Sequence, residues 1–562
     1  MTRFRYILYS SIVGIVFFGY LFYLGFNKIK KNSDQDNKKI SLKLENLENL
    51  ENKLLNLERT LQEQEAAGKP GQTTIVKCQP WGELQQKVHD CVGKVSAFYT
   101  EFDWLQPFRT PRQKEGSGSG FFINQEGDFI TNAHVVDQAY AIGIQIPSMG
   151  QEIFDAEVHG ISFDRDLALL KLIPESRERL KKGLKVIPYL KLGDSDVVRR
   201  ADEVMALGYP LGQEYLKSTT GVVSGKELDK IQIDAPINPG SSGGPVINIM
   251  GNVIGITCSG ILAAQNVGYI IPVNELKLVL KDLYKERFLR RPFLGLFSNP
   301  ASEALTQYLG NPEPGGCYIL DVYKGSPLHK AGINAGDMLY EINGYKVDLY
   351  GEMKVPWSED RISLLDYGGR LKPGEKINMV IYRNGVRKIV STTFDHMELP
   401  PVRLMHPGFD DVDYEILGGM VFMELTRNHV HLLVEQAPNF IKYQLIRYED
   451  PKNQLEPAIV ITHIFPGSQA RRSRALMPGM ILKEVNGKEV KTLKELRAAL
   501  KIKNKSFLTI KTSDKILTAL KMADVLIDEP RLSRDYRYPI TALAQELINE
   551  SKGGIISSLI RH

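Results

Sequence analysis

The sequence is poor in cysteine and tryptophan, and its positive and negative charges nearly cancel. It has 4 cysteines and 3 tryptophans among 562 residues, with a formal net charge of +5. So few cysteines in so long a chain make no disulfide framework, and none has the spacing of zinc ligands. The HExxH motif is also absent, which excludes a metalloprotease of that type and leaves no metal or cofactor predicted. Basic clusters with interleaved aromatics are lacking, so nucleic acid is not an expected partner.

Long apolar runs are also scarce, and the clearest one lies near the amino terminus. Residues 6–26 carry no charged side chain, and a helix of this length rises about 31 Å, enough to cross a bilayer core. A cleaved signal peptide needs a shorter apolar run and a small-residue cleavage site, which we do not find before Lys28. We therefore predict a membrane anchor over residues 1–27. Basic residues flank both of its ends, so charge does not decide its orientation.

Residues 28–75 are predicted to form a helical stalk. Leucines recur there with alternating spacings of three and four, at Leu47, Leu50, Leu54, Leu57 and Leu61. This periodicity covers too few heptads to decide between a short coiled coil and a single solvated helix. Beyond the stalk, Cys78 and Cys91 could pair in an oxidising compartment or remain thiols, and the sequence leaves both open.

The glycine-rich octapeptide Asn238–Pro245 presents a serine. Ser242 is flanked by glycines, which permit a tight turn with outward-pointing backbone amides. The amides of Gly240, Ser241 and Ser242 are candidate donors to an oxyanion. The alternative is a glycine-rich hairpin loop with no catalytic role.

A serine nucleophile needs a general base that is oriented by a third group. Among the histidines before Ser242, His134 ends an apolar strand, whereas His89 lies in a charged helical segment and His159 in a strand without small neighbours. Asp166 is followed at once by an apolar strand, which indicates a half-buried carboxylate. We therefore predict a triad of His134, Asp166 and Ser242.

Three motifs, in this order along the chain, resemble those of the HtrA/Deg family of trypsin-like serine proteases. They are TNAHVV around His134, DLALLK from Asp166 and GSSGGP around Ser242, where Ser241 replaces an asparagine of the family motif. The resemblance implies a mainly β peptidase domain of two barrels over residues 76–288, with the triad between the barrels. It implies no cofactor.

The trypsin-like arrangement also implies a substrate pocket, with Pro236 at its floor. The residues expected to line the pocket and cleft are Ala235, Pro236, Ile237, Thr257, Cys258 and Ser259. Because no acid stands among them, we expect cleavage after small or medium apolar residues, with a broad preference. Folded proteins hide such residues, so unfolded chains are the expected substrates.

A first PDZ domain is predicted over residues 289–398. The run Phe293-Leu294-Gly295-Leu296 looks like a carboxylate-binding loop, whose backbone amides capture a peptide C-terminus. The later segments Gly325–Asp337 and Ile342–Gly344 fit the same family. The alternative is a small β domain that has no ligand.

A degenerate second copy of this pattern occupies residues 456–528. No clear carboxylate loop precedes it, so we predict a PDZ-like α+β domain that serves assembly rather than the binding of termini. Residues 399–455 are predicted to be a connecting insertion and residues 529–562 a C-terminal tail. The insertion resembles that of the plant-type Deg subgroup.

The resemblance implies an ATP-independent serine endopeptidase that degrades misfolded or damaged proteins outside the cytoplasm, on the periplasmic side of a bacterial inner membrane. It also implies a homotrimer or a higher homo-oligomer. Two alternatives stay open: a proteolytically weak chaperone or PDZ scaffold that binds unfolded chains, and a regulatory protease triggered by a peptide at the first PDZ domain.

Overall fold

The computed structural model describes residues 81–559, except for residues 228, 261–265 and 502–505. The predicted anchor over residues 1–27 and the predicted stalk over residues 28–75 lie outside the described residues, as does Cys78. In the part of the chain that is described, no helix has both the length and the apolar character needed to cross a membrane.

The first six strands close into a barrel in the order β1-β2-β3-β6-β5-β4. Phe122, Phe129, Ile144 and Phe154 are fully buried inside it and form its core. The strands are β1 (Val92–Glu101), β2 (Arg112–Phe122), β3 (Asp128–Thr131), β4 (Ala139–Gln145), β5 (Ile153–Ser162) and β6 (Leu167–Leu172), with helices α1 (Trp81–Val88) and α2 (Pro174–Leu184).

Six further strands close a second barrel in the order β10-β11-β12-β9-β8-β7. They are β7 (Glu203–Gly208), β8 (Lys217–Glu227), β9 (Lys230–Ile233), β10 (Pro245–Asn248), β11 (Val253–Gly260) and β12 (Gly268–Pro272), followed by helix α3 (Val273–Leu283). Another apolar cluster, which includes Phe121, Leu207, Ile256 and Leu276, packs the two barrels against each other. The mainly β, two-barrel fold is therefore confirmed.

A third body follows, and its main sheet runs β13-β14-β15-β19-β20. Strand β13 stands at the edge of this sheet, and helix α6 begins with a capping box between Ser363 and Asp366. The elements are β13 (Leu296–Asn299), α4 (Glu303–Tyr308), β14 (Cys317–Val322), α5 (Pro327–Lys330), β15 (Met338–Ile342), β16 (Tyr345–Lys346), β17 (Glu352–Met353), β18 (Ile362–Ser363), α6 (Leu364–Arg370), β19 (Lys376–Arg383) and β20 (Val386–Thr393).

The fourth body is larger than predicted, because it absorbs the segments assigned to an insertion and a tail. Its elements are β21 (Tyr414–Leu417), β22 (Met420–Glu424), α7 (Arg427–Val434), α8 (Asn439–Ile446), α9 (Pro451–Gln454), β23 (Ile459–Ile464), α10 (Gln469–Ser473), β24 (Leu482–Val485), β25 (Lys488–Glu489), α11 (Leu493–Leu500), β26 (Phe507–Thr512), β27 (Leu517–Lys521), α12 (Met522–Tyr536) and α13 (Ala542–Leu559).

The prediction that residues 399–455 connect domains is wrong, because they supply part of a sheet and a core. Strands β21 and β22 form one sheet with β23, and Leu433 and Ile441 belong to the same apolar cluster as Ile461. The tail prediction is wrong for the same reason, since Leu543 and Ile548 of helix α13 lie in that cluster.

The third and fourth bodies each have a glycine in the same backbone arrangement just before a strand. Gly295 has a φ of +80°, its carbonyl accepts from Tyr323 N at 2.7 Å, and a Cβ there would overlap Ser326. Gly419 has a φ of +82°, its carbonyl accepts from Phe465 N at 2.8 Å, and a Cβ there would overlap Ser468. The second copy therefore does have a loop at the carboxylate-loop position.

The two copies differ at the edge beside this loop. In the third body that edge of β13 has no partner strand among the described residues, whereas in the fourth body β21 pairs along the corresponding edge of β22, with Leu417 opposite Met420. Arg497 of helix α11 holds β21 through ion pairs with Asp413 and Glu415. A strand of the chain itself thus occupies the edge to which a PDZ ligand would add.

Buried Glu529 on helix α12 should make the stability of the fourth body depend on pH. It accepts from Tyr538 Oη at 2.6 Å and Gly418 N at 3.0 Å, and burial raises the pKa of its carboxyl to about 7. Between pH 4.5 and 7 the unfolded chain therefore releases a proton that the folded chain keeps. We expect the free energy of unfolding to fall over this interval, by on the order of 3 kcal/mol.

Urea denaturation of the full chain at several pH values measures this effect. The Glu529→Gln variant should lose that part of the pH dependence, whereas Glu435→Gln, at an exposed position, should keep it. Identical pH profiles for the wild type and Glu529→Gln would contradict the assignment.

Candidate active site

His134 and Asp166 are in direct contact at one end of the first barrel. His134 lies in the short turn that follows β3, and its Nδ1 is 2.9 Å from both carboxylate oxygens of Asp166. The carboxylate also accepts from the backbone N–H of His134 at 3.0 Å. This pair can hold the imidazole in one orientation and stabilise its cation, as a catalytic base requires.

The backbone of Asp166 is held as firmly as its side chain. The turn Phe163–Arg165 ends at Asp166, which adopts the left-handed conformation with a φ of 54°. Its N–H donates to Phe163 O at 3.0 Å, and its carbonyl accepts from Asn132 Nδ2 at 2.9 Å. The side chain is partly exposed, as the sequence predicts.

Ser242 lies in the loop between β9 and β10, which packs against the turn that carries His134. A Cβ at Gly118 would lie 2.6 Å from Val135 and 3.2 Å from Ser242 O, so only glycine allows this approach. Ser119 N donates to Ser242 O at 2.8 Å. The first barrel thus fixes the backbone of the predicted nucleophile beside the predicted base.

The Ser242 hydroxyl itself does not reach the imidazole. In the described part of the chain, Oγ donates to Cys258 O at 3.4 Å and makes no hydrogen bond to His134. Catalytic hydrogen bonds are commonly long in ligand-free enzymes and tighten when substrate binds. The structure therefore contains the His–Asp half of the triad formed and the Ser–His contact still open.

Two of the three predicted oxyanion donors are free. Gly240 has a φ of +94°, and Ser119 Oγ donates to its carbonyl at 2.7 Å. Within the described residues, the amides of Gly240 and Ser242 donate to no acceptor, whereas Ser241 N donates to Asn238 O at 2.9 Å. The prediction for Ser241 is therefore wrong, because the turn itself uses that amide.

The predicted pocket residues separate into different roles. Thr257 is fully buried, and its hydroxyl donates to Gly244 O at 3.1 Å and to Ser241 O. It supports the nucleophile loop and does not face substrate, so its prediction as a pocket residue is wrong. The side chain of Ser259 lies outside the described residues.

The remaining pocket residues stay candidates, with different exposures. Ala235 is buried, Pro236 is exposed, and Ile237 is partly buried. A Cβ at Gly268 would lie 2.7 Å from Ile237 Cδ1, which places Ile237 beside strand β12. Asp234 accepts from Val222 N at 2.6 Å and is thereby engaged outside the pocket.

Strand β11 leaves an edge open beside Ser242. Its pairing with β10 ends at Ile256, whereas its pairing with β12 continues to Gly260. Among the described residues, β11 beyond Thr257 therefore has no partner strand on the Ser242 side, and an extended substrate segment can add along this edge. The Cys258 thiol is 6% exposed and donates to Tyr269 O at 3.3 Å, as expected of a cleft wall.

Cys91 is equally buried, and burial raises the pKa of its thiol to about 12, so it is unreactive. Its predicted pairing involves Cys78, which lies outside the described residues. The pairing therefore remains a prediction.

The predicted carboxylate loop, residues 293–296, leads into strand β13 at Leu296. Within the described residues, Phe293, Leu294 and Gly295 donate no backbone hydrogen bond. A groove beside this loop is lined by Arg291, Phe293, Leu294, Leu365, Gly368 and Gly369, and by Asp164 and Asp229 of the first two barrels.

Sequence reasoning missed Ser119, which joins the two halves of the site. Ser119 is fully buried in β2. Its hydroxyl donates to Gly240 O and accepts from Tyr209 N at 2.9 Å, and its carbonyl accepts from Thr131 Oγ1 at 2.7 Å. The only signal in the sequence is a serine within the glycine repeat of β2.

Comparison with protein families separates the chain into the same bodies. A trypsin-like peptidase domain matches residues 118–256, and PDZ domains match residues 292–393 and 407–542. The last match includes most of the predicted insertion and part of the predicted tail, which agrees with the corrected fourth body.

Relatives with similar sequences cover most of the chain. A probable periplasmic serine endoprotease DegP-like from Marinomonas sp. is 28% identical over 420 residues, 72% of this chain and 78% of the relative. A protein of the same description from Chlamydia pneumoniae is 27% identical over 477 residues, 80% of this chain and 86% of the relative.

A solved structure titled HtrA-type protease AlgW with decapeptide is 24% identical, with a TM-score of 0.45, over 57% of this chain and 100% of that chain. The family matches and the relatives agree with the order of bodies along the chain. With one trypsin-like peptidase domain followed by two PDZ domains, the chain is a serine endoprotease similar to those named DegP-like and HtrA-type, which use a Ser-His-Asp triad.

Proposed function

We propose that this serine endoprotease degrades misfolded or damaged proteins outside the cytoplasm without ATP. Its catalytic residues are Ser242, His134 and Asp166. The observation that carries the proposal is the His134–Asp166 pair, with both carboxylate oxygens 2.9 Å from Nδ1, beside a serine held by glycine turns.

In the proposed reaction, Ser242 Oγ attacks the scissile carbonyl and its proton passes to His134 Nε2. Asp166 stabilises the imidazolium, and the N–H groups of Gly240 and Ser242 hold the oxyanion. The proton then goes to the leaving amine, and an acyl-enzyme remains on Ser242. Water then attacks the acyl-enzyme, gives its proton to His134 Nε2 and releases the acyl group as a carboxylic acid. The proton returns from His134 to Ser242 Oγ, which restores the serine.

Substrate choice is proposed to follow from the lack of an acid in the pocket. Pro236 and Ile237 offer apolar surface beside the buried Ala235 and Cys258, while the Asp234 carboxylate accepts from the backbone N–H of Val222. A hydrophobic pocket discriminates by only about 1–3 kcal/mol per methylene. We therefore expect cleavage after valine, alanine or leucine in unfolded chains.

Covalent labelling tests the assignment of the nucleophile. A fluorophosphonate probe reacted with the full chain, followed by proteolysis and mass spectrometry, should place the adduct on the peptide that contains Ser242. Heat-denatured protein is the control and should not be labelled. Casein digestion by a preparation whose adduct lies on another residue would overturn the assignment.

Peptide C-termini are proposed to bind the first PDZ domain rather than the second. In the part of the chain that the structure describes, the amides of residues 293–295 have no partner and β13 has an edge without a partner strand. In the second, β21 already pairs with β22. The second domain is proposed to serve assembly, as the sequence predicts.

We expect Leu365→Glu to weaken peptide binding about tenfold, because Leu365 lines the groove and is 67% exposed. The measurement is fluorescence polarisation of a labelled peptide with an apolar, free C-terminus. Leu320→Glu is the matched control, since Leu320 is also exposed but does not line the groove. Equal affinity for the amidated peptide would contradict carboxylate capture.

Contacts between the first PDZ domain and the Asp166 turn favour a second candidate, a protease regulated by a peptide. Asp164 accepts from Arg291 N at 2.8 Å, and Arg165 donates to Gly369 O at 2.8 Å. Both partners border the peptide groove. A C-terminal peptide that changes the rate of casein digestion would support this candidate over a chaperone or scaffold.

An extracytoplasmic site of action is supported by the relatives, which are named as periplasmic. Anchoring by residues 6–26 and a homotrimeric or higher assembly remain proposals. Light scattering of the detergent-solubilised full chain would test the assembly, and a monomeric mass would contradict it.

A further inference from the structure

Four aromatic rings form a cluster directly behind the turn that carries Asp166. Phe163 stacks on His406 with ring centroids 3.8 Å apart and planes at 6°. Phe288 and Phe409 complete the cluster, with centroids 5.8 Å from that of Phe163 and 5.2 Å from each other. Three different parts of the chain therefore meet at this point.

The position of Phe163 affects that of Asp166, because the two residues are joined by one short turn of the backbone. Phe163 begins the turn that ends at Asp166, and its carbonyl accepts the Asp166 N–H at 3.0 Å. Asp166 is held in the left-handed conformation, which non-glycine residues adopt at some energetic cost. A displaced Phe163 ring would therefore move the carboxylate that contacts His134.

His406 and Phe409 belong to the segment that opens the second PDZ domain, and Asp410 holds that segment in place. The Asp410 carboxylate accepts from Arg290 at 2.7 and 2.8 Å, from Arg403 at 3.3 Å and from His406 N at 2.9 Å. Burial lowers the pKa of His406 and so favours the neutral ring, which stacks on Phe163.

The peptidase domain contacts the second PDZ domain at another place as well. In the loop between β1 and β2, Trp104 lies edge-on to the buried His429, with its carbonyl 3.1 Å from His429 Nε2. Phe108 of this loop packs against Phe465 and Tyr538. The second PDZ domain thus contacts the first barrel at a second place besides the ring cluster.

We propose that His406 and Phe409 of the second PDZ domain are positioning residues for Asp166 and set the rate of catalysis by the same chain. This proposal rests on the proposed catalytic role of the triad. The ring cluster acts through Phe163, and neither residue contacts the reacting atoms.

The test compares His406→Ala, His406→Phe and Phe409→Leu in the full chain with a short chromogenic peptide. His406→Ala should lower kcat about 10- to 100-fold, the range expected for a misplaced catalytic group, with KM changed less than about twofold. His406→Phe keeps a flat aromatic ring and should restore kcat. Phe409→Leu should lower kcat as well, by a smaller factor.

His329→Ala is the matched control, because His329 is exposed in the first PDZ domain. Its kcat should equal that of the wild type. Peptide binding at the first PDZ domain should be unchanged in every variant, and a single thermal unfolding transition like that of the wild type checks that the rest of the chain is folded.

Three results would overturn the proposal: an unchanged kcat in both His406→Ala and Phe409→Leu, an equal loss in His406→Ala and His406→Phe, or a loss confined to KM. Each is distinguishable from failure of the proposed function, because the wild type would still digest casein and still be labelled on Ser242. If His406→Ala does not fold, the other two variants carry the test: a lowered kcat in Phe409→Leu with a wild-type kcat in His406→Phe would support the proposal, and an unchanged kcat in Phe409→Leu would overturn it.

Discussion

Replacing Ser242 with alanine is expected to abolish proteolysis. The Ser242→Ala variant keeps the pocket and the free amides of Gly240 and Ser242 but has no group that can form the acyl-enzyme. The turnover number should fall on the order of 10⁶-fold, as it does when the nucleophile of a serine protease is removed. The measurement is the initial rate of casein digestion with purified full-length protein at equal concentration.

Ser224→Ala is the matched control, because Ser224 is an exposed serine of the same barrel. It should digest casein at the wild-type rate. Fluorophosphonate labelling should disappear in Ser242→Ala and persist in Ser224→Ala. Undiminished casein digestion by Ser242→Ala would rule out the nucleophile and leave the chaperone or scaffold alternative.

The second large effect is expected for Asp166→Asn. The Asp166 carboxylate accepts hydrogen bonds from His134 Nδ1 at 2.9 Å and from the backbone N–H of His134 at 3.0 Å. An asparagine amide can donate to Nδ1 and so favour the wrong imidazole tautomer, and it carries no charge to stabilise the imidazolium. We expect kcat to fall about 10⁴-fold with little change in KM.

The control for this change is Asp155→Asn, an exposed aspartate on β5 of the same barrel. It should retain the wild-type kcat. Thermal unfolding of both variants checks that the barrel is intact. An Asp166→Asn protein with more than a tenth of the wild-type kcat would show that another group orients His134.

The sequence by itself was enough to predict the reactive residues and the resemblance to HtrA/Deg proteases. His134, Asp166 and Ser242 each stand in a short motif with a distinct pattern of apolar and small residues, and local patterns of this kind need no knowledge of distant contacts. The same holds for the two barrels, where short apolar strands separated by turns indicate the fold class, and for the first carboxylate loop, with Gly295 at its centre.

Only the tertiary structure decided how these residues are supported. Ser119 and Thr257 hold the nucleophile loop through hydrogen bonds that span 121 and 13 positions, and no local pattern marks either residue. Ser241 has the residue type and place of an oxyanion donor, but its amide is used by the turn.

The second PDZ domain shows most clearly the difference between what the sequence predicts and what only the tertiary structure reveals. Its core residues are dispersed from Val402 to Ile548, so the local pattern around residues 456–528 captured only its middle. That β21 covers the edge of β22, and that His406 stacks on Phe163, follow from the path of the chain in space. Strand pairing and ring stacking between distant segments depend on that path, which motifs and composition do not encode.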